Sequence, residues 1–330
     1  MRRKLIKQGH NTLTITLPSK WIQQFNLKPG SEINLIEKDN GLFLTTEKNE
    51  QYKKAEFDIT RMDIPTIWKY FMAVYREGYD EVLVRFNENI KLENPYKFFC
   101  QHKLDLKYER KSEKKNIHEI LQSFVNRFIG FGIIESGKDY CIVKEIGETS
   151  VKEFDNCLRR IFLILQQMAE ETVEAIKTNN SKILPHIHDV DINLDKFHDY
   201  CIRILNKVGN KEPRKSELLS STLFLLELLG DEFKNISHHL LYDLKKTKSD
   251  GLKKTARLIK EEIDALYSLF YKFDIEKINQ ISKIDKEIYF GVGEVFKKAN
   301  DEYEKEVLHH LRLISRYINA LYELKIEMEF

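Results

Sequence analysis

The sequence predicts a multidomain chain: a small β-hairpin module at the N-terminus, an α/β middle segment, and an all-α C-terminal bundle of two three-helix halves. Three observations carry this. Leu13, Ile15 and Leu17 alternate with Thr14 and Thr16, the period of a strand. Residues 56–150 mix strand-like and helix-like patterns. From residue 151 onward apolar residues recur at the 3.6-residue period, beginning with Phe154, Leu158, Ile161, Phe162, Leu165 and Met168.

Within the first module, residues 1–48, Pro18 ends the first strand and Ser19 is expected to cap a short helix, Lys20–Phe25. Lys28-Pro29-Gly30 reads as a turn. Ile33–Glu37 and Leu42–Thr46 read as strands joined by Asp39-Asn40-Gly41, since Asn-Gly supplies the positive φ angles of a tight hairpin. A core of this size usually needs a second copy of the chain. Residues 49–55 read as a polar linker.

In the middle segment, 56–148, Phe57–Ile59 and Glu81–Phe86 read as strands and Met62–Glu77 as a helix stopped by Gly78. Ile117–Ile129 reads as a helix, followed by strands at Phe131–Glu135 and Tyr140–Glu145. The basic cluster Arg110, Lys111, Lys114, Lys115 reads as a solvated loop. The helical domain, 151–330, divides into six helices near 151–179, 184–208, 214–247, 252–272, 275–299 and 300–328. Pro185 and Pro213 fit first helical turns, and Lys248-Ser249-Asp250-Gly251 separates the halves.

Composition narrows the function classes. The formal net charge of +2 on 330 residues says little about partners, so any basic signal must be local. One is present. Residues 1–31 hold Arg2, Arg3, Lys4, Lys7, Lys20 and Lys28 and no acidic residue, a pattern suited to DNA phosphates. Cys100, Cys141, Cys157 and Cys201 form no CxxC pair and read as buried thiols of a cytoplasmic protein. No apolar run reaches membrane-span length. No nucleophile constellation, phosphate loop or nucleotide fingerprint is present, so no enzyme activity is expected.

Two acidic spacings stand out. Asp191 and Asp195 are i, i+4 on one predicted helix, and Glu227 and Asp231 are i, i+4 on the next. A short connection makes these helices antiparallel neighbours, so four carboxylates can converge. Between Leu218 and Gly230, Glu227 is the only charged residue. Such a group must pair, protonate or meet a cation. Oxygen-only ligands suit divalent or ferric ions, with iron, manganese or zinc as candidates. The competing reading is a salt-bridged surface with Arg159, Arg160 or Arg203 as partners. Glu306-x-x-His309 is a single copy of a di-iron spacing and reads as chance, because such sites need two copies and two further glutamates. His238-His239 and His186/His188 read as surface or capping residues.

Two resemblances follow. Lys7-Gln8-Gly9-His10-Asn11-Thr12-Leu13-Thr14-Ile15-Thr16-Leu17-Pro18-Ser19-Lys20-Trp21, then Leu27-Lys28-Pro29-Gly30, resembles a SpoVT–AbrB domain. That resemblance implies a swapped-hairpin homodimer that binds DNA. The helical region resembles PhoU, through Asp191-x-x-x-Asp195 with Arg203 and Glu227-x-x-x-Asp231 with Ile236. PhoU members carry such acidic motifs, some with multinuclear metal. Asp191 stands where glutamate is usual, and Ala320 stands where a second patch would need aspartate. Together the resemblances imply a regulator of phosphate uptake like the archaeal PhoU-like regulators. An adaptor docked on a phosphate transporter, without DNA binding, and a metal-binding carboxylate bundle are the alternatives.

Overall fold

The computed structural model describes residues 2–9, 11–38, 41–46, 52–87, 91–93, 114–209, 215–243, 249–299 and 301–330. The Asp39-Asn40 turn, Cys100, Arg110, Lys111, Pro213 and Lys248 lie outside the described residues. The chain divides into two compact units, Met1–Tyr52 and Lys53–Phe330.

In the first unit, β1 (Ile6–Gln8) pairs antiparallel with β2 (Thr12–Thr14), with Gly9 at φ +74° in the turn. The strand expected over 13–17 is therefore short at its end, and its partner β1 was not expected. Helix α1 (Ser19–Gln24) follows. Ser19 is its first helical residue and not its cap. Pro18 takes the cap position, where its φ of −65° and ψ of 129° fit without a side-chain hydrogen bond. The Lys28–Ser31 turn closes with a 2.9 Å bond from Ser31 N–H to the Lys28 carbonyl, and Gly30 sits at φ +92°, as a type II turn requires. Strands β3 (Ile33–Lys38) and β4 (Gly41–Thr46) form an antiparallel hairpin in which Leu35 stands opposite Leu44.

The second unit begins with β5 (Lys54–Asp58), α2 (Ile64–Arg76) and β6 (Glu81–Arg85), with β5 and β6 parallel. Lys54 and Ala55, the last two residues of the stretch read as a linker, thus already belong to β5. Asp63 caps α2 by accepting from the Thr66 N–H at 2.9 Å. A short antiparallel pair, β7 (Lys91–Glu93) with β8 (Lys114–Asn116), occupies a stretch too polar to be read from sequence. Helix α3 (Ile117–Val125), β9 (Phe131–Ser136) and β10 (Tyr140–Glu145) complete the layer. The sheet order is β5-β6-β10-β9. Val82 and Val84 face Val143 and Cys141 across the β6–β10 pair, all buried, and α2 and α3 add Phe71, Tyr75, Leu121 and Phe124 to the same core.

A 3-10 turn at Val151–Glu153, capped by Ser150, leads into α4 (Phe154–Thr178). Then come α5 (Leu184–Lys207), α6 (Lys215–Asp243), α7 (Asp250–Tyr271), α8 (Ile275–Lys298) and α9 (Glu302–Glu327). Helices α4, α5 and α6 pack together, as do α7, α8 and α9, and the halves meet along α4–α7 and α6–α9. Ser249 caps α7 by accepting from the Leu252 N–H at 3.1 Å, which ends the break expected at 248–251 two residues early. No described helix is long and apolar enough to cross a membrane.

The segments read as 56–148 and 151–330 form one compact unit. The reason lies on α5, whose last turns face α2 and β10. Arg203 is fully buried there, Asn206 donates to the Arg76 carbonyl at 2.9 Å, and Lys207 pairs with Asp80 at 2.6 Å and with Glu145. Gly78 allows this approach. Its φ of +78° stops α2, and a Cβ there would lie 2.7 Å from the Lys207 Cβ.

Candidate nucleic-acid interface and acidic patch

Arg2, Arg3 and Lys4 precede β1, Lys7 lies within it, Lys20 lies on α1, and Lys28 opens the type II turn. All six side chains are exposed, and none makes an ion pair among the described residues. They are free to meet phosphate oxygens, which position a protein on a duplex without reading its sequence. None of the residues of this unit whose exposure is described is buried. Leu35 and Leu42 are each 64 % exposed, and Leu5, Ile6, Leu13 and Ile15 are also exposed. So many apolar residues turned to water make a surface of the kind that a partner covers.

Residues 6–52 match the model of the family described as antidote-toxin recognition MazE, bacterial antitoxin. The match ends where the first compact unit ends. It supports a MazE/AbrB-like DNA-binding module at the N-terminus, the class to which the basic arm and the Leu17-Pro18 frame point. No curated protein matches the chain in sequence.

In the second unit the two helices expected to share an acidic patch do pack side by side. Asp191 is buried on α5, and Lys234 of α6 reaches it, with Nζ 3.0 Å from Oδ2. The same ammonium pairs with Asp231. Asp195 is held by Arg127, which follows α3, at 2.6 Å. One turn further along α5, Arg76 of α2 holds Asp199 at 2.6 Å. Among the described residues, the ion-pair partners of these carboxylates are therefore Lys234 and Arg127, with Arg76 on the neighbouring Asp199, and not the expected Arg159, Arg160 or Arg203. Arg203 is instead spent on Glu145 at 3.0 Å, Thr149 at 3.1 Å and the Tyr75 carbonyl at 2.8 Å.

Burial dominates the electrostatics of the patch. It raises the pKa of Asp191, Asp195 and Glu227, and neighbouring carboxylates add to the rise, while Lys234 and Arg127 oppose it. Lys234 is raised by Asp191 and Asp231 against its own burial. Glu227 makes no hydrogen bond or ion pair among the described residues, and Oδ1 of Asp191 is buried without a partner. Among the described residues, no three of Asp191, Asp195, Glu227 and Asp231 bring ligand oxygens within 4.8 Å of one another. As placed, the four carboxylates do not fit a bound metal cluster. The cation between Asp191 and Asp231 is the lysine ammonium.

A different set does converge. His239 of α6 and Glu306 and His310 of α9 each offer a ligand atom within 4.8 Å of the others. The Glu-x-x-His spacing points from Glu306 to His309, whereas the fold uses His310, four residues on. The α6 histidine that completes the set is distant in sequence and leaves no local signal. Lys234 was legible as the i+3 partner of Asp231, whereas Arg76 and Arg127 come from the α/β layer and left no local trace. Cys141, Cys157 and Cys201 are free and buried.

Proposed function

We propose that the chain is a DNA-binding transcriptional regulator of phosphate uptake, acting as a homodimer through its N-terminal module. In this reading the PhoU-like helical domain senses a metal, a ligand or a partner and biases the dimer. The observation that carries it is the coincidence, on one MazE/AbrB-like module, of exposed apolar residues and a basic arm that makes no ion pair among the described residues. The second supplies phosphate contacts, and the first supplies the dimer that doubles them. Two three-helix halves with acidic i, i+4 pairs on α5 and α6 support the PhoU-like reading of the bundle. The acidic patch is read as an ion-paired region of that bundle, with Lys234 as its standing counter-ion. Toxin recognition has its support in the name of the matching model alone, whereas the basic arm supports DNA.

The deciding experiment is a gel-shift titration of the full chain against its own promoter over a series of salt concentrations. Wild-type protein binds, and Arg2→Ala/Arg3→Ala/Lys4→Ala binds more weakly. The variant's log K against log[salt] is flatter by about 0.9 for every phosphate that it no longer neutralises. An unaltered slope in the variant removes the arm from the interface. No binding by the wild type favours the second reading, an adaptor of a phosphate transporter that leaves DNA alone.

A further inference from the structure

We propose that His239, Glu306 and His310 form a transition-metal site of the zinc type on the α6–α9 seam. Two helices build it. Glu306 and His310 are i, i+4 on α9, which stacks them on one face. His239 comes from α6, which packs along α9. One ligand atom from each of the three lies within 4.8 Å of the others, the spread of donors around one ion. The rings of His239 and His310 lie nearly parallel, at 27°, with centroids 5.2 Å apart.

A second observation comes from behind the ligands. The Nδ1 of His310 lies 2.5 Å from Oε2 of Glu232, a buried carboxylate on α6. This is the carboxylate–histidine arrangement that fixes the tautomer and ring angle of metal-bound imidazoles. With Nδ1 donating to Glu232, the Nε2 lone pair of His310 is the one turned over to an ion.

The donor set selects the class of ion. Two imidazoles and one carboxylate suit zinc and its neighbours, such as cobalt or nickel, and disfavour magnesium and calcium, which want oxygen alone. Three protein ligands leave a fourth position, and Glu306 is exposed, so that position is open to water or a small ligand. The ion would tie α6 of one half to α9 of the other. The site uses none of the four carboxylates of the acidic patch and does not depend on the DNA-binding reading.

Calorimetric titration of the full chain with zinc chloride tests this, together with the visible spectrum after cobalt(II) loading. One zinc per chain and the intense d–d bands of four-coordinate cobalt are expected, with no heat from magnesium chloride. Glu232→Gln, which keeps the shape behind His310, should weaken zinc about 10–100-fold. Glu306→Gln, an exposed change that leaves the fold alone, should weaken it at least as much. His239→Ala/His310→Ala should abolish it, and Glu227→Gln in the acidic patch should leave it unaltered. The proposal is overturned if the wild type takes up no zinc, or if Glu306→Gln and the double histidine variant both bind as the wild type does.

Discussion

The guanidinium of Arg203 donates from Nη1 to the main-chain carbonyl of Tyr75 at 2.8 Å, although the two residues belong to different layers. Tyr75 lies in the last turn of α2, where carbonyls lack i+4 helical partners and carry the negative end of the helix dipole; its own carbonyl also accepts from the Gly78 N–H at 3.1 Å. The same guanidinium lies 5.0 Å from the Tyr75 ring centroid and 4.8 Å from that of Phe131. It is one cation serving a helix terminus, two aromatic faces and Glu145.

Because Arg203 is wholly buried, its replacement takes a buried cation from Glu145, which keeps Lys207 and the Thr149 hydroxyl, and leaves the Tyr75 carbonyl with the Gly78 N–H alone. Arg203→Leu should lower unfolding free energy by about 3–5 kcal/mol, the usual cost of removing one partner of a buried pair. Arg203→Lys should recover part, since it keeps the charge and loses the planar fork. Urea denaturation followed by circular dichroism measures both. A loss below about 1 kcal/mol for the leucine variant would show that the two layers do not depend on this residue.

Glu262 of α7 is 0 % exposed, and burial pushes its pKa well above the usual value of 4.5. Ser315 Oγ lies 3.1 Å from Glu262 and 3.2 Å from Asp285. A serine has one proton to give, so a protonated Glu262 lets the hydroxyl accept from it and donate to Asp285. In the window above 4.5 the folded chain holds a proton that the unfolded chain has released, so stability falls as pH rises. Glu262→Gln has no such proton to lose. The melting-temperature difference, variant minus wild type, should be near zero at pH 4 and grow positive toward pH 8. A difference that is flat or shrinks with pH would mean that Glu262 is ionised in the fold.

Periodicity marked most of the fold, and chemistry marked less of the sites. The bundle helices and β10 were legible because their apolar faces repeat at the helical or strand period, as in Leu158, Ile161 and Leu165 on α4. Strands β1, β7 and β8 were not, being short and polar, with pairing decided by distant partners. The i, i+4 carboxylates on α5 and α6 announced a patch, and the i+3 spacing offered Lys234, but nothing local offered Arg127. Arg127 is 68 residues from Asp195, and such a pairing has no local signature. The joining of the α/β layer to the bundle was hidden likewise, since a buried arginine on α5 reads as a surface residue until α2 arrives above it.

The exposed apolar strands of the first unit give a prediction of their own. The fragment 1–52 should sediment as a folded dimer, because its single chain has no described buried residue from which to build a core. Leu35→Glu, placed opposite Leu44 in the β3–β4 register, should convert it to an unfolded monomer. A wild-type fragment that is folded and monomeric would rule out the interleaved hairpins.

The acidic patch supplies the last test. Lys234 bonds Asp191 and Asp231, so its removal leaves a buried carboxylate without its counter-charge. Lys234→Met should destabilise the chain by at least about 1 kcal/mol, a conservative figure because the lysine retains some solvent contact. The freed oxygens then resemble a hard-cation site, and manganese(II), which prefers oxygen donors and avoids confusion with the histidine cluster, should raise the variant's melting temperature as its concentration rises. The wild type should not respond, because the ammonium already occupies the position between the carboxylates. Glu227→Gln should leave the metal-free chain as stable or slightly more so, since Glu227 is raised by burial and by Asp231 and has no hydrogen-bond partner among the described residues to lose. A wild-type melting temperature that climbs with manganese, and climbs less in Glu227→Gln, would reverse this reading and make the four carboxylates a metal site that displaces Lys234.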